Sequence, residues 1–439
     1  MTVFGRRRSR TTNDPSRPRT STSTNLVSPA APDEVAHAVR GADAVTVVRG
    51  TRGVPFGGAD PDADAEAVAD VVVDVSTLST PPRLDADGRT ITVAASADWV
   101  EVCAALVPHG MALRNLPADP RIAVAEAVSH AEHGGGARHG NLATQVAGLE
   151  VVTAAGEVVH LDRRTPDFDG MVVSFGALGV VTAVTLDVVF DFEVEQHVYD
   201  DLPLDVAVDD LSLILGAADS VSVFTTFAGA PSGQVGQVWL KRRADGSDRS
   251  MLPGPTFLDA PAATMQHHPV PGADPALCTP QLGVPGPWHE RLPHLRAGVP
   301  EAACPVAPTR SEYFVDARHA SAALDAIRTA SASFVDDLAV AEIRAVAADE
   351  LWMSPQYGRD AVGFHFTWST SDPTDAIAAV ESALADHDPR PQWGTRFDPA
   401  RFGPARDFEM HEDFVDLVVR FDPHGVFRHA GRLRHLGFG

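Results

Sequence analysis

The chain has 439 residues, of which 44% are hydrophobic and 21% charged, so it is long enough for two or three folded domains and too apolar for wholesale disorder. No apolar run approaches the ~20 residues that span a bilayer. The 59 acidic and 35 basic residues give a formal charge of −24, which repels phosphate backbones. These values argue against a membrane-spanning protein and against a nucleic-acid partner.

Cysteine usage and the first residues bear on the compartment. Cys103, Cys278 and Cys304 are odd in number and widely spaced, which fits a reducing compartment and predicts a cytoplasmic protein. The arginine run at 6–8 resembles the start of a twin-arginine export signal, but polar and proline-rich residues follow it where such a signal is apolar. Residues 1–24 are therefore predicted to be a disordered tail.

The hydrophobic periodicity predicts short elements of both kinds. In chain order they are a helix over 32–39, a strand ending at Val48, strands over 68–76 and 90–96, a helix over 97–110, a hairpin turning at Ala155-Gly156 and an apolar strand within 176–190. Residues 243–310 are dense in Pro and Gly and are predicted to be ordered loop; a strand and an amphipathic helix follow. This mixture predicts an α+β fold.

Two later predicted strands contain polar residues that are candidates for a binding site. In the run 338–348, side chains two apart share a face, so Glu342 and Arg344 point the same way. In the run 361–369 the same rule puts His365 and Thr367 on one face and aromatic residues on the other. If the strands pair, the four polar groups form a cluster suited to a polyhydroxylated ligand. On spacing alone, a sheet with one solvated face explains the pattern equally well.

The run EIRAVAADELWMSPQYGRDAVGFHFTW, at 342–368, resembles the corresponding stretch of bacterial alditol oxidases, in the sugar-lactone oxidase branch of the vanillyl-alcohol-oxidase-type flavoproteins. Other segments resemble the same family: GQVWLKRR (236–243), HPVPG (268–272), GVPGPWHERLPH (283–294) and SFGALGVVTAVTLDV (174–188). The resemblance covers roughly residues 26–430. It implies a two-domain FAD-binding fold, with an FAD-binding domain over 25–190, an inserted antiparallel-sheet substrate domain over 191–393, and a C-terminal segment, 394–439, returning to the FAD domain.

The resemblance also implies an activity. In that family the terminal hydroxyl of an alditol loses a proton, a hydride passes to flavin N5, and dioxygen reoxidises the flavin to give hydrogen peroxide. Glu342, Arg344 and Thr367 match substrate-contacting positions, and His365 matches the histidine beside the reacting hydroxyl. The candidate catalytic residues are therefore His365, Arg344 and Glu342.

Two substrate-binding positions differ from the family. Ala118 stands where the family has a serine, and Thr395 stands where it has a lysine. Arg396 is one residue further along an extended strand, so without a bulge its side chain faces the other way. In the absence of that lysine, His365 is the candidate proton acceptor, because an imidazole titrates near ~6.5.

The flavin loop differs too. The family's turn reads Gly-Ser-Gly-His-Ser and its histidine bonds covalently to the flavin, whereas Gly53 or Val54 stands at that position here. The resemblance therefore implies noncovalent FAD, with Arg49 and Arg52 holding the diphosphate by charge-assisted hydrogen bonds; an ordinary solvated turn is the alternative. The predicted cofactor-binding residues are Arg49, Gly50, Thr51, Arg52, Gly53, Val54, Ala118, Ala123, Ala127, Val128, His133, Gly134 and Val180.

Two carboxylates stand in a segment whose residues are small and uncharged in the family. Glu126 and Glu132 replace a glycine and a threonine there. At ~6 Å from a phosphate and an effective dielectric of ~20, one carboxylate costs about 3 kcal/mol. Rotation outward, or pairing with Arg52, Arg121 or Arg138, would remove that cost.

The same segment permits a metal-site interpretation. On a helix, Glu126, His130 and His133 would share a face. The glycines that follow and the family's extended geometry argue against a helix, so no metal is predicted.

Two functions remain open, and they differ in class. The first is an FAD-dependent oxidase of a polyol or related small molecule, with noncovalent FAD and dioxygen as partner. The second is a flavin-free homologue whose pocket serves binding or non-redox catalysis, with Glu126 or Glu132 in the former cofactor channel. A variant of the first keeps FAD but passes electrons to an acceptor other than oxygen.

Overall fold

The computed structural model describes residues 25–48, 69–230, 232–245, 253–299 and 309–428. The predicted tail, the predicted diphosphate loop Arg49 to Val54 and Cys304 lie outside these residues. Within the described ranges, every helix is too short or too polar to cross a bilayer.

The described residues combine helices with largely antiparallel strands, as the α+β prediction requires. The helices are α1 (Pro32–Val39), α2 (Trp99–Leu106), α3 (Val124–Ser129), α4 (Phe168–Val172), α5 (Leu204–Asp209), α6 (Leu211–Leu215), α7 (Ala320–Ala330), α8 (Thr374–Leu384), α9 (Pro404–Asp407) and α10 (His411–Phe421). The strands are β1 (Asn25–Val27), β2 (Val45–Val48), β3 (Val71–Asp74), β4 (Arg83–Leu84), β5 (Thr90–Ala94), β6 (Met111–Ala112), β7 (Val146–Val152), β8 (Val158–Asp162), β9 (Val180–Asp187), β10 (Val189–Phe190), β11 (Glu193–Pro203), β12 (Ser220–Thr225), β13 (Gln234–Arg243), β14 (Thr256–Phe257), β15 (Ala260–Pro261), β16 (Gly286–Pro287), β17 (Arg310–Asp316), β18 (Leu338–Val346), β19 (Ala361–Trp368) and β20 (Arg390–Pro391).

Three sheets carry most of these strands. A parallel sheet has the order β1-β3-β2, and an antiparallel sheet has the order β4-β5-β9-β7-β8. A larger antiparallel sheet has the order β16-β11-β13-β12-β18-β19-β17-β20, so it is built entirely from residues 193–391. Helices α5 to α8 pack on one of its faces through a shared hydrophobic core. Its other face carries the polar residues of the site.

Most of the predicted elements are present. Helix α1 has the predicted bounds, and α2 is shorter than predicted because a capping box of Asp98 and Glu101 begins it and Gly110, at φ +64°, ends the turn after it. The predicted hairpin joins β7 and β8, with Gly156 at φ +70°.

The prediction of an extended segment at 123–134 was wrong. Residues 124–129 form α3, which buries Val124 and Val128 in the core. The helix ends before the glycines at 134–136, so these glycines do not disrupt it. The chain changes direction at Ala131, which has φ +55°.

The C-terminal segment packs against the first part of the chain. Phe414 and Leu417 of α10 share a hydrophobic core with β5, α2 and β9. Val426 joins the core around α1 and β3, and its carbonyl accepts a hydrogen bond from the Val45 amide. The chain therefore returns to its N-terminal part after the large sheet.

Candidate functional site

Strands β18 and β19 place four polar side chains on one face of the large sheet. Glu342 lies opposite His365, and Val340 lies opposite Thr367, in an antiparallel register. The alternating residues Ile343, Phe364 and Phe366 are buried in the core on the other face. The pairing that the sequence left open is present.

The polar face borders a cavity of about 230 Å³. Glu342, Arg344, His365 and Thr367 line it from the sheet, and the segment 117–132 lines it from the other side. The polar face of the large sheet and a segment more than 200 residues earlier in the chain therefore line the same cavity. Several polar groups converge on it, as they do in small-molecule sites.

Glu342 is held as a carboxylate in this cavity. Its Oε1 lies 2.8 Å from Nε2 of His294 and 3.2 Å from Nε of Arg344. Burial by itself would raise the pKa of Glu342, but the Arg344 guanidinium and the His294 contact hold that pKa below its ordinary value. An ionised Glu342 can therefore accept hydrogen bonds from hydroxyl groups in the cavity.

Glu312 of β17 borders the same cavity and is a candidate site residue that the sequence interpretation missed. It is 2% exposed and lies between two histidines: its Oε1 is 2.9 Å from Nε2 of His133, and its Oε2 is 3.5 Å from Nδ1 of His365. Burial opposes its ionisation, yet the two imidazoles hold the pKa of Glu312 well below its ordinary value. The available signal was a charged residue inside the apolar strand EYFV.

The two altered substrate positions also border the cavity. Ala118 contributes no side-chain donor, and its carbonyl accepts hydrogen bonds from the His294 and Leu295 amides. The Thr395 hydroxyl accepts from the Glu312 amide at 3.1 Å. Arg396 points elsewhere, since its Nη2 lies 2.7 Å from the Thr374 hydroxyl, so it does not replace the missing lysine.

The facing wall holds the two unexpected carboxylates. Glu126 and Glu132 both border the cavity, and so does Ala127 between them. Oε2 of Glu132 accepts a hydrogen bond of 3.1 Å from the buried Gln392 amide. Arg121 forms an ion pair with Asp119, and Arg138 forms one with Asp219.

The remaining predicted cofactor-binding residues within the described ranges lie deeper in the protein than the cavity wall. Ala123, Val128 and Val180 are at most 2% exposed, and Val128 and Val180 pack in hydrophobic cores. His133 is fully buried and directs its two ring nitrogens to the Gly134 carbonyl and to Glu312. A side chain at position 134 would meet Asn115 and the Leu116 carbonyl, so Gly134 serves close packing within the protein.

The residues fit the ring part of a flavin. Ile122 and Ala127 give the cavity wall apolar surface against which a flat ring can pack. The carboxylates do not suit a diphosphate, whose predicted anchors lie outside the described residues. Within the described residues, no group of three or more acidic, histidine or cysteine side chains is placed to hold a metal ion.

Comparison with known proteins adds the family. An FAD binding domain model matches residues 24–162, and a D-arabinono-1,4-lactone oxidase model matches residues 299–434. An alditol oxidase from a Streptomyces species is 39% identical over 371 residues, which cover 84% of this chain and 85% of that protein. An L-gulono-1,4-lactone dehydrogenase from Mycobacterium tuberculosis is 25% identical, over 89% of this chain and 91% of that protein.

An FAD-binding region joined to a cavity of carboxylate, guanidinium and imidazole groups defines an FAD-dependent oxidoreductase that acts on CH–OH groups. More particularly, this chain belongs to the alditol oxidase family, in the branch that also contains the sugar-lactone oxidases.

Proposed function

We propose that this protein oxidises an alcohol of a polyol or a related hydroxylated molecule, with FAD held noncovalently and dioxygen as the electron acceptor. The observation that carries the proposal is the convergence of Glu342, Arg344, His365 and Thr367 on one cavity. The similarity to an alditol oxidase over 84% of the chain supports the substrate class.

We also propose the two-domain arrangement that the family resemblance implies. Residues 25–190 and 394–439 would form the FAD-binding domain, and residues 191–393 the substrate domain. Two observations support this division: α10 packs in the same core as β5 and β9, and the large sheet uses only residues 193–391.

Each residue has a role that follows from its chemistry. The ionised Glu342 accepts hydrogen bonds from substrate hydroxyls, and Arg344 beside it donates to substrate oxygens. His365 takes the proton of the reacting hydroxyl, while Glu312 beside it stabilises the imidazolium that forms. FAD, when bound, supplies the acceptor for the hydride that leaves the carbon. The alcohol thereby loses one proton and one hydride and becomes a carbonyl compound.

An absorbance scan with a peroxide assay tests the proposal. The purified protein is expected to absorb between about 350 and 500 nm, to release free FAD on acid precipitation, and to form hydrogen peroxide with alditols. Turnover with an artificial electron acceptor but no peroxide would identify a dehydrogenase.

The flavin-free alternative has one observation in its favour, since Glu126 and Glu132 both border the cavity. It requires a colourless protein that added FAD cannot reconstitute. That outcome would overturn the proposed oxidation, and the FAD binding domain match over residues 24–162 argues against it.

A further inference from the structure

The single lysine of the chain lies beneath the candidate site. Lys241, on β13, is 2% exposed, and its Nζ lies 2.5 Å from the Leu292 carbonyl, 3.0 Å from the Pro293 carbonyl and 2.9 Å from Nδ1 of His294. A buried ammonium is tolerated only when its N–H groups are satisfied. Here three donors meet three acceptors, so the side chain is well placed to remain charged.

The ammonium determines which nitrogen of His294 carries the proton. Because an ammonium group only donates, Nδ1 of His294 must accept, and the ring hydrogen must lie on Nε2. That nitrogen is 2.8 Å from Oε1 of Glu342, and 3.3 Å from the Ser222 hydroxyl. The chain of contacts therefore ends in an N–H that donates to the carboxylate in the cavity.

We propose that Lys241 is a positioning residue for substrate binding: its charge selects the His294 tautomer that donates to Glu342, and so keeps that carboxylate ionised and correctly aimed. This inference rests on the proposed role of Glu342 in binding substrate hydroxyls. Lys241 itself does not border the cavity described above.

Loss of the lysine proton would move the ring hydrogen of His294 from Nε2 to Nδ1. A neutral amine offers its lone pair to Nδ1, which then needs the ring hydrogen, and Nε2 is left with a lone pair facing the Glu342 carboxylate. Burial lowers the pKa of Lys241 to about 7, with Glu342 opposing and Arg344 assisting that shift. Burial and Lys241 lower the pKa of His294 to about 4, so this imidazole is neutral when the lysine titrates.

The groups that face Lys241 come from several elements. Glu342 and Arg344 belong to β18, His294 and Cys278 to the loops beside β16, and Gln196 lies opposite Lys241 on β11. Within the described residues, Glu342 is the single carboxylate among the groups that shift the pKa of Lys241. The Michaelis constant for the substrate is therefore expected to rise with pH as Lys241 loses its proton.

A double-variant cycle tests the coupling in the FAD-loaded protein. Lys241→Met is expected to raise KM for the substrate at least tenfold and to change kcat less than threefold. His294→Gln keeps an N–H donor for Glu342 that needs no lysine, so its KM should stay within about threefold of wild type. Adding Lys241→Met to His294→Gln should then have little further effect. An equal loss in both backgrounds, or an unchanged KM in Lys241→Met, overturns the inference.

A measurement that needs no turnover completes the test. Because the chain has one lysine, protein labelled with ¹³C-lysine gives a single side-chain signal, whose titration midpoint is expected near 7 and should fall in Glu342→Gln. A midpoint that Glu342→Gln leaves unmoved overturns the coupling between Lys241 and Glu342. A wild type that oxidises no alcohol contradicts the proposed function, whereas active wild type with additive variants contradicts only this inference.

Discussion

Glu312 lies directly opposite His365 in the pairing of β17 with β19, and its Oε2 is 3.5 Å from Nδ1 of that imidazole. The same carboxylate accepts the Nε2–H of His133, so one buried negative charge serves two histidines. This places an ionic partner beside the candidate proton acceptor, at the border of the same cavity, although the family's lysine is missing at Thr395.

Replacing Glu312 by Gln should therefore slow the reaction. The neutral amide stabilises an imidazolium less than a carboxylate does, so we expect kcat/KM at neutral pH to fall about tenfold or more. Steady-state rates with an alditol substrate measure this loss. An unchanged kcat/KM with a normal circular-dichroism spectrum would exclude this role for Glu312.

Glu132→Gln should bind FAD more tightly. The change removes a negative charge from the cavity wall while keeping the size of the side chain, and we expect about a tenfold lower dissociation constant, or ~1.4 kcal/mol. Titration of FAD into apoprotein, followed by flavin fluorescence, measures it. Glu157→Gln removes one charge from an exposed turn and serves as the matched control. Weaker binding in Glu132→Gln would show that the carboxylate accepts a hydrogen bond from the flavin ring.

Ala118→Ser should improve the use of alditols. The hydroxyl adds one hydrogen bond at the cavity, worth about 0.5–1.5 kcal/mol, so KM should fall about threefold to tenfold with kcat little changed. Ala104→Ser, on the exposed side of α2, should leave KM unaltered. Equal KM values for both variants across a set of alditols would mean that position 118 does not contact substrate.

Gly179 and Gly176 provide a paired test of the loop before β9. Gly179 has φ +140°, and an added Cβ would lie 2.2 Å from the Val152 carbonyl oxygen. Gly176 has φ +81° with open space around it. We expect Gly179→Ala to cost more than about 3 kcal/mol and Gly176→Ala about 1–2 kcal/mol, since the second carries backbone strain alone. Urea unfolding compares the two, and equal losses would contradict the predicted clash.

Asp349 should make the stability depend on pH in an unusual direction. Burial raises the pKa of Asp349 to about 6, against hydrogen bonds from Ser354 and Asn141. Between about pH 4 and 6 the folded state holds a proton that the unfolded state has released, so the free energy of unfolding falls as pH rises, by at most about 3 kcal/mol. Asp349→Asn should flatten the melting temperature over this window. A melting temperature that rises equally in both proteins would contradict the assignment.

The sequence predicted those parts of the site that depend on local alternation. Period-two spacing put Glu342 with Arg344 and His365 with Thr367 on single faces. Arg396 also points away from the cavity, but residues 393–395 form a turn, so the extended strand on which that expectation rested was wrong. It missed α3 because the glycines after it were given more weight than the buried pattern of Val124 and Val128. The contacts of the predicted diphosphate loop remain a prediction, since that loop lies outside the described residues.

By itself, the sequence determined the charge, the alternating strands and the family, because these depend only on composition and on patterns among residues close together in the chain. Only the tertiary structure decided that Glu312 and Glu132 border the same cavity as β18 and β19, and that Lys241 contacts the His294 ring beside Glu342. Strand order and the packing of a distant segment over a sheet depend on long-range burial, which no local periodicity specifies.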